Sequence, residues 1–187
     1  MSNLAYKYET IFRLRPARSD EVETLQLIDI KSCEIFRDTG LIDLGPTSAQ
    51  LQPIPEEKLR QGLGDGLLWI SADERDNPIG FALCSHKQEC LYLDQVSVLP
   101  EHGQRGLGRQ LVFEAISAAR DHDYKHITLS TFRDVPWNGK FYRSMGFKEI
   151  PRRRLAAWQL ELEQLQKSTM DVSKRCFMQK SVKRLFF

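Results

Sequence analysis

The sequence predicts an α/β (α+β) fold, one mixed sheet with helices on both faces. Three observations carry this. The chain has 187 residues, room for one domain with a sizeable core. Short period-two apolar runs alternate with segments of helical period throughout. Mean hydropathy is −0.43 and no apolar run approaches the ~18 residues of a membrane span.

The elements follow in order. Ile11–Arg15 alternates and stops at Pro16, a first strand. Ser19–Asp20 offers N-cap chemistry to a helix over about 20–37, with Val22, Leu25, Ile28 and Phe36 on one face. Residues 38–55 carry Gly40, Gly45, Pro46, Pro53 and Pro55 and read as loop or short helix, and Glu56–Leu63 as a short helix. Leu67–Ser71 and Ile79–Lys87 form a hairpin across the polar turn 73–78. Cys90–Leu99 is a further strand ended by Pro100. Leu107, Leu111, Val112, Ala115, Ile116 and Ala119 mark one face of a helix over about 107–122. Then come a strand at His126–Thr131, a short helix at Asn138–Met145 closed by Gly146, and a strand at Phe147–Ile150. An amphipathic helix over about 155–167 and a strand at Arg175–Val182 complete the chain. The expected organisation is one domain over 1–187, with a core of 11–150 and a C-terminal helix and strand in 151–187.

Net charge is +2, which gives no support to nucleic acid as a partner. The charge is unevenly spread: from Lys148 onward ten Lys/Arg face four Asp/Glu, so the rest is slightly acidic. Cys33, Cys84, Cys90 and Cys176 show neither zinc spacing nor a disulfide framework. Cys84 and Cys90 read as packing residues in strands. Residues 1–10 lack the apolar region of a signal peptide. The expectation is a cytoplasmic protein with no membrane partner. His86, His102, His122 and His126 are scattered, and no metal site is expected.

Chemistry concentrates where the Cys90–Leu99 strand runs into Gly103–Gly108 and the loop opens a helix. The first amides of a helix lack internal partners and carry the positive end of its dipole. Gly106 and Gly108 leave room beside the backbone, and Arg105 and Arg109 add charge. A pyrophosphate suits such a loop, although glycines also make plain tight turns. The stretch Gly62-Leu63-Gly64-Asp65-Gly66 has the wrong order for a cradle and reads as a loop. There is no G-x-x-x-x-G-K-[ST], and the third glycine of a dinucleotide fingerprint is replaced by Leu111.

Three segments in order resemble the GNAT superfamily of N-acetyltransferases. They are Val96-Ser97-Val98-Leu99-Pro100, Gln104-Arg105-Gly106-Leu107-Gly108-Arg109, and Asn138-Gly139-Lys140-Phe141-Tyr142-Arg143-Ser144-Met145-Gly146-Phe147. Three residues before Gly106, where the family usually carries Arg or Gln, stands Gly103, with Gln104 next. The resemblance implies a mixed, mostly antiparallel sheet of about six or seven strands whose central strands splay apart. It implies acetyl-CoA as cofactor, with pyrophosphate on the amides of Gln104, Arg105, Gly106, Leu107, Gly108 and Arg109. The pantetheine arm would pair with Val96, Ser97 and Val98, and an amide near Val98 would polarise the thioester carbonyl.

The implied reaction is direct attack by an amine, without a protein nucleophile. Tyr142 matches the family tyrosine that serves the leaving sulfur; alternatively it packs with Phe141 and Phe147. Asn138 contacts cofactor or caps the short helix. Asp94 is a candidate base, placed with Tyr92, Val96 and Val98 if no bulge intervenes, or a structural carboxylate. Segments of about 31–66 and 132–172 would form the acceptor pocket. The expected acceptor is a small-molecule amine. The alternatives are a protein or peptide amine, or a non-catalytic acyl-CoA-binding module. Arg152–Arg154 reads as a solvated junction or a contact for an acidic partner. The helix bearing Trp158 covers the sheet or joins a homodimer interface.

Overall fold

Seven strands form one sheet in the order β1-β2-β3-β4-β5-β7-β6. They are β1 (Arg13–Pro16), β2 (Leu68–Ala72), β3 (Pro78–Lys87), β4 (Cys90–Val98), β5 (His126–Phe132), β6 (Lys148–Glu149) and β7 (Arg175–Ser181). The structure, a computed structural model, describes residues 12–44 and 52–182. Ile11, Gly45 and Pro46 therefore lie outside the described residues. Every pairing is antiparallel except β4 with β5. The C-terminal strand β7 lies inside the sheet, between β5 and β6.

Five helices cover both faces: α1 (Val22–Cys33), α2 (Glu56–Gly64), α3 (Leu107–Asp121), α4 (Phe141–Ser144) and α5 (Ala157–Gln166). All six apolar positions read for α3 are buried, packed with Leu93, Leu129 and Met178. On the other face α1 and α2 cover β2 and β3 through Val22, Leu25, Ile28 and Leu59. Beyond them Trp158 and Leu162 of α5 pack with Tyr92 and Phe177, so this helix covers the sheet. Each such large apolar side chain contributes ~1.5–3 kcal/mol on full burial.

The structure corrects the sequence reading in several places. The helix read over Glu56–Leu63 runs on to Gly64, so the first three residues of the stretch read as a loop over 62–66 are helical. A Cβ at Gly62 would collide with Leu83 Cδ1, so the missing side chain lets α2 lie close on β3. Phe36 leaves the α1 face, lies in a 3-10 turn (Glu34–Phe36), and packs on Phe132 with ring centroids 5.4 Å apart. Residues 136–145 form a π-helical turn (Pro136–Lys140) followed by α4. Arg152–Arg154 needs no correction: it is an exposed 3-10 turn between β6 and α5, as the reading of a solvated junction expects, and Arg152 pairs with Glu163 at 2.9 Å.

Candidate active site

The sheet opens at its centre. β4 and β5 pair from Cys90↔His126 to Leu93↔Leu129 and no further. Beyond that point β4 holds only β3, and Ser130–Phe132 hold only β7. The cause is local. Leu83 pairs with Gln95 and Cys84 with Leu93, so Asp94 is an extra residue, a bulge that bends β4. The bulge also breaks the alternation expected for Asp94. Tyr92 lies on the α5 face, whereas Val96 and Val98 pack on the α3 face.

The β4 edge facing this gap has free backbone groups. Leu99 donates its N–H to Ile79 at 2.9 Å. Hydrogen-bonded and non-hydrogen-bonded pairs alternate along an antiparallel ladder. In the register Val98↔Gly80, Ser97↔Phe81, Val96↔Ala82, the N–H groups of Val96 and Val98 therefore point away from β3, into the gap. Ser97 points the other way: its backbone joins the β3 ladder. Its hydroxyl lies 3.1 Å from Asp29 Oδ1 and 3.0 Å from Ser32 Oγ. Of the three expected strand contacts, Val96 and Val98 reach the gap and Ser97 does not.

Asp29 anchors this edge to α1. It accepts from Gln95 Nε2 at 2.8 Å and from the Ile54 amide at 2.9 Å. Burial pushes its carboxyl above the usual range, although these hydrogen bonds oppose the shift.

The loop after β4 leads into α3. Gln104 and Gly106 both take left-handed backbone, at φ 59° and 82°. Gly106 is the N-cap of α3, and no acidic residue occupies the first turn. A Cβ on Gly106 would meet nothing within 4 Å, and on Gly108 only Phe141 Cζ at 4.0 Å. The space outside both glycines is thus unfilled by the described protein, which fits an anion approaching the first-turn amides. Arg109 Nη2 donates to Ser144 Oγ at 3.0 Å, tying this turn to α4.

Tyr142 on α4 is half-buried, edge-on to Phe141 and Phe147 at 5.0 and 5.7 Å. Its hydroxyl makes no hydrogen bond among the described residues. Burial pushes the phenol above its ordinary value, so it stays protonated at neutral pH. Asp94, its side chain 2% exposed, pairs through Oδ1 with Lys58 of α2 at 2.5 Å. Asp94 Oδ2 is buried with no hydrogen-bond partner.

A model of the acetyltransferase (GNAT) family matches residues 36–147. The chain belongs to the GNAT acetyltransferase family. It is 28% identical over 142 residues to the peptidyl-lysine N-acetyltransferase YjaB of Escherichia coli K12, covering 76% of this chain and 86% of that protein. The solution structure of apo YjaB from Escherichia coli superposes with a TM-score of 0.58 at 25% identity, covering 90% of this chain and 97% of that one. The PaiA N-acetyltransferase of Thermoplasma acidophilum, solved with coenzyme A, gives 0.64 at 16% identity over 91% of this chain and 99% of that one.

As a GNAT acetyltransferase the protein uses acetyl-CoA. The open β4 edge and the unfilled glycines fit that cofactor. Asn138 caps nothing: it lies within the π-helical turn and its side chain makes no hydrogen bond among the described residues. Lys58, Phe36, Trp137 and Arg175 also line this region, and sequence reasoning missed them. The aromatic residues had no pattern beyond packing. Arg175 opens a strand with unremarkable alternation. It surfaces only in three dimensions, where its charge couples to Tyr92 and Tyr142. Among the described residues no group of three or more His, Cys, Asp or Glu is placed to hold a metal ion, and no helix is long and apolar enough to cross a membrane.

Proposed function

We propose that the protein transfers the acetyl group of acetyl-CoA to the primary amine of a small molecule, by direct attack. The observation that carries this is the divergence of β4 and β5 after Leu93, with Tyr142 of α4 packed against the same core as Val96 and Val98, and Asp94 at the bulge where the strands part. Bound acetyl-CoA supplies the activated acyl group. The amides of Gln104–Arg109, with Arg105 and Arg109, hold its pyrophosphate; Val96 and Val98 pair with its pantetheine arm, and Asn138 lies alongside. The Val98 N–H donates to the acyl oxygen as negative charge develops there. The Tyr142 hydroxyl donates its proton at the departing sulfur. Asp94, through the Oδ2 that Lys58 leaves unpaired, accepts a proton from the substrate ammonium, which frees the neutral amine to attack.

The thiols fit a route without a covalent enzyme intermediate. Burial pushes Cys33 up to about 12 and Cys176 up to about 11, and raises Cys84 and Cys90 as well. None is a thiolate at neutral pH.

A small acceptor suits the tie between the two segments expected to form its pocket. The α1–α2 connection reaches across to the segment before β7, through the bridge Ile42↔Met170. Asp43 N–H donates to Thr169 at 3.0 Å, and Asp171 N–H to Leu41 at 3.0 Å. These belong to the two segments expected to form the acceptor pocket. A second reading, a lysine on a protein, draws on the similarity to YjaB.

Free thiol release from acetyl-CoA across a panel of small amines and lysine peptides tests the proposal. Tyr142→Phe and Asp94→Asn should each lower turnover tenfold or more while coenzyme A affinity holds. A wild-type protein that binds coenzyme A and acetylates no amine would instead be a binding module.

A further inference from the structure

Arg175 is the first residue of β7, opposite Phe132 at the end of β5. Its side chain lies on the sheet face that also carries Phe36 and Tyr92, beside the central gap. The guanidinium sits 4.8 Å from the Phe132 ring centroid. It donates to one protein oxygen, the hydroxyl of Ser130, from Nε at 3.3 Å and Nη2 at 3.0 Å. A guanidinium has five N–H donors in a planar fork, so most of its capacity is unused. Among the described residues no carboxylate lies within 4.0 Å of it.

Arg15 shows how this chain treats another enclosed arginine. Its side chain, 13% exposed, is met by both Glu21 and Asp76. Buried charges are ordinarily paired, because leaving water without a partner is costly. Arg175 lacks that compensation, and burial pulls its pKa below the usual arginine value. Its surroundings are aromatic. Phe36 packs at a tilt between Phe132 and Trp137 at 5.4 and 6.1 Å, and Trp137 is 43% exposed. The charge of Arg175 is felt by Tyr142, the proposed proton donor.

We infer that Arg175 binds a carboxylate on the acceptor, so that the substrate class is a small amine that also carries a carboxylate. This rests on the acetyl-transfer reading above, with the amine end toward Asp94 and the carboxylate end in the Arg175 fork. The pair is planar and two-pronged, which a lysine could not reproduce. An amine lacking the carboxylate forgoes this pair, so the guanidinium favours one class over the other.

The test is equilibrium binding to the full-length protein saturated with coenzyme A, which cannot turn over. Matched probes are L-lysine against 1,5-diaminopentane, L-phenylalanine against phenethylamine, and 4-aminobutanoate against butylamine. At least one carboxylated member should bind about tenfold or more tightly than its partner. In Arg175→Gln that preference should vanish while the partner's affinity and that of coenzyme A change less than about twofold. Arg175→Lys should restore part of the preference, and carries the test if the glutamine variant does not fold. No carboxylate preference in the wild-type protein, or a preference that survives in both variants, overturns the inference. So does an equal loss of both partners, or a preference found only for lysine peptides with acidic neighbours. Thiol release from acetyl-CoA is read separately. Its absence with every amine sinks acetyl transfer, whereas release without a carboxylate preference sinks only the role of Arg175.

Discussion

Gly139→Ala isolates the contact that sets the height of Tyr142 above the gap. Gly139 lies in the π-helical turn where it crosses the end of β5. A Cβ there would fall inside the Arg133 carbonyl oxygen, 2.7 Å from the carbonyl carbon and 2.9 Å from the Phe132 oxygen. All three are backbone atoms, so no side chain can swing aside. The turn would have to lift by roughly 1 Å, and overpacking of this kind costs ~1–3 kcal/mol. The same Arg133 oxygen accepts from Arg143 Nη2 at 2.9 Å. Losing that charge-assisted bond at an exposed site adds about 0.5–1 kcal/mol. The expected total is therefore ~1.5–4 kcal/mol by urea denaturation. Tyr142 lies three residues on, and misplacement by about 1 Å can cost up to ~100-fold in rate. Coenzyme A affinity should fall less than turnover, because Asn138 moves with the turn whereas the backbone of the α3 loop does not. A variant as stable as wild type within ~0.5 kcal/mol, with unchanged turnover, would refute the claim that this contact positions the tyrosine.

Other substitutions probe different supports. Gly106→Ala should cost ~1 kcal/mol, through its left-handed backbone and not through any clash, and weaken coenzyme A binding. Gly108→Ala, helical and with room for a methyl, should instead stabilise the free protein by about 0.5 kcal/mol in the same melts. Arg15→Met should cost ~2 kcal/mol at neutral pH. Burial alone would raise Glu21, but the Arg15 guanidinium outweighs it and holds the carboxyl below its usual range, as Arg15 and Arg18 do for Asp76. Carboxyls lowered in the folded state stabilise it above their unfolded pKa, and that contribution fades as pH falls through the folded value. Acid titration of stability should therefore be steeper below about pH 4.5 in the wild type than in Arg15→Met. Because Tyr142 is raised, wild-type rates should show no loss from its ionisation up to about pH 10.

The elements that were legible in the sequence are those whose signal is local. The α3 stripe, the β2–β3 hairpin and the strand–loop–helix at Gly103–Gly108 each announce themselves within a dozen residues or so. What was not legible depends on partners far along the chain. One extra residue in β4 leaves no mark on its apolar pattern, yet it bends the strand and turns Asp94 toward Lys58, 36 residues earlier. Gly62 falls in both the Glu56–Leu63 helix and the 62–66 loop of the sequence reading; what decides for the helix is its close approach to Leu83, which no local pattern shows. Arg175 looks like any strand arginine until β5 and β7 align it with Phe132.

The gap is held open by supports on separate sides, and this predicts separable kinetic effects. Asp29 fixes the β4 edge that faces the cofactor arm, through Ser97 and Gln95. The Gly139 contact fixes Tyr142, the proposed proton donor. The Ile42–Met170 bridge ties the two segments expected to form the acceptor pocket. A shared, continuous core would make every substitution move every parameter. Here the supports lie on different elements and share no hydrogen-bond partner, so their effects should be near additive. Loosening Asp29 with Asp29→Ala should raise the KM for acetyl-CoA, and Gly139→Ala should lower kcat. The double variant should then show the sum in free energy within ~0.5 kcal/mol. Strong coupling between them would mean that the proton donor and the cofactor edge move as one body, and that the divergence of β4 and β5 is not what keeps them apart.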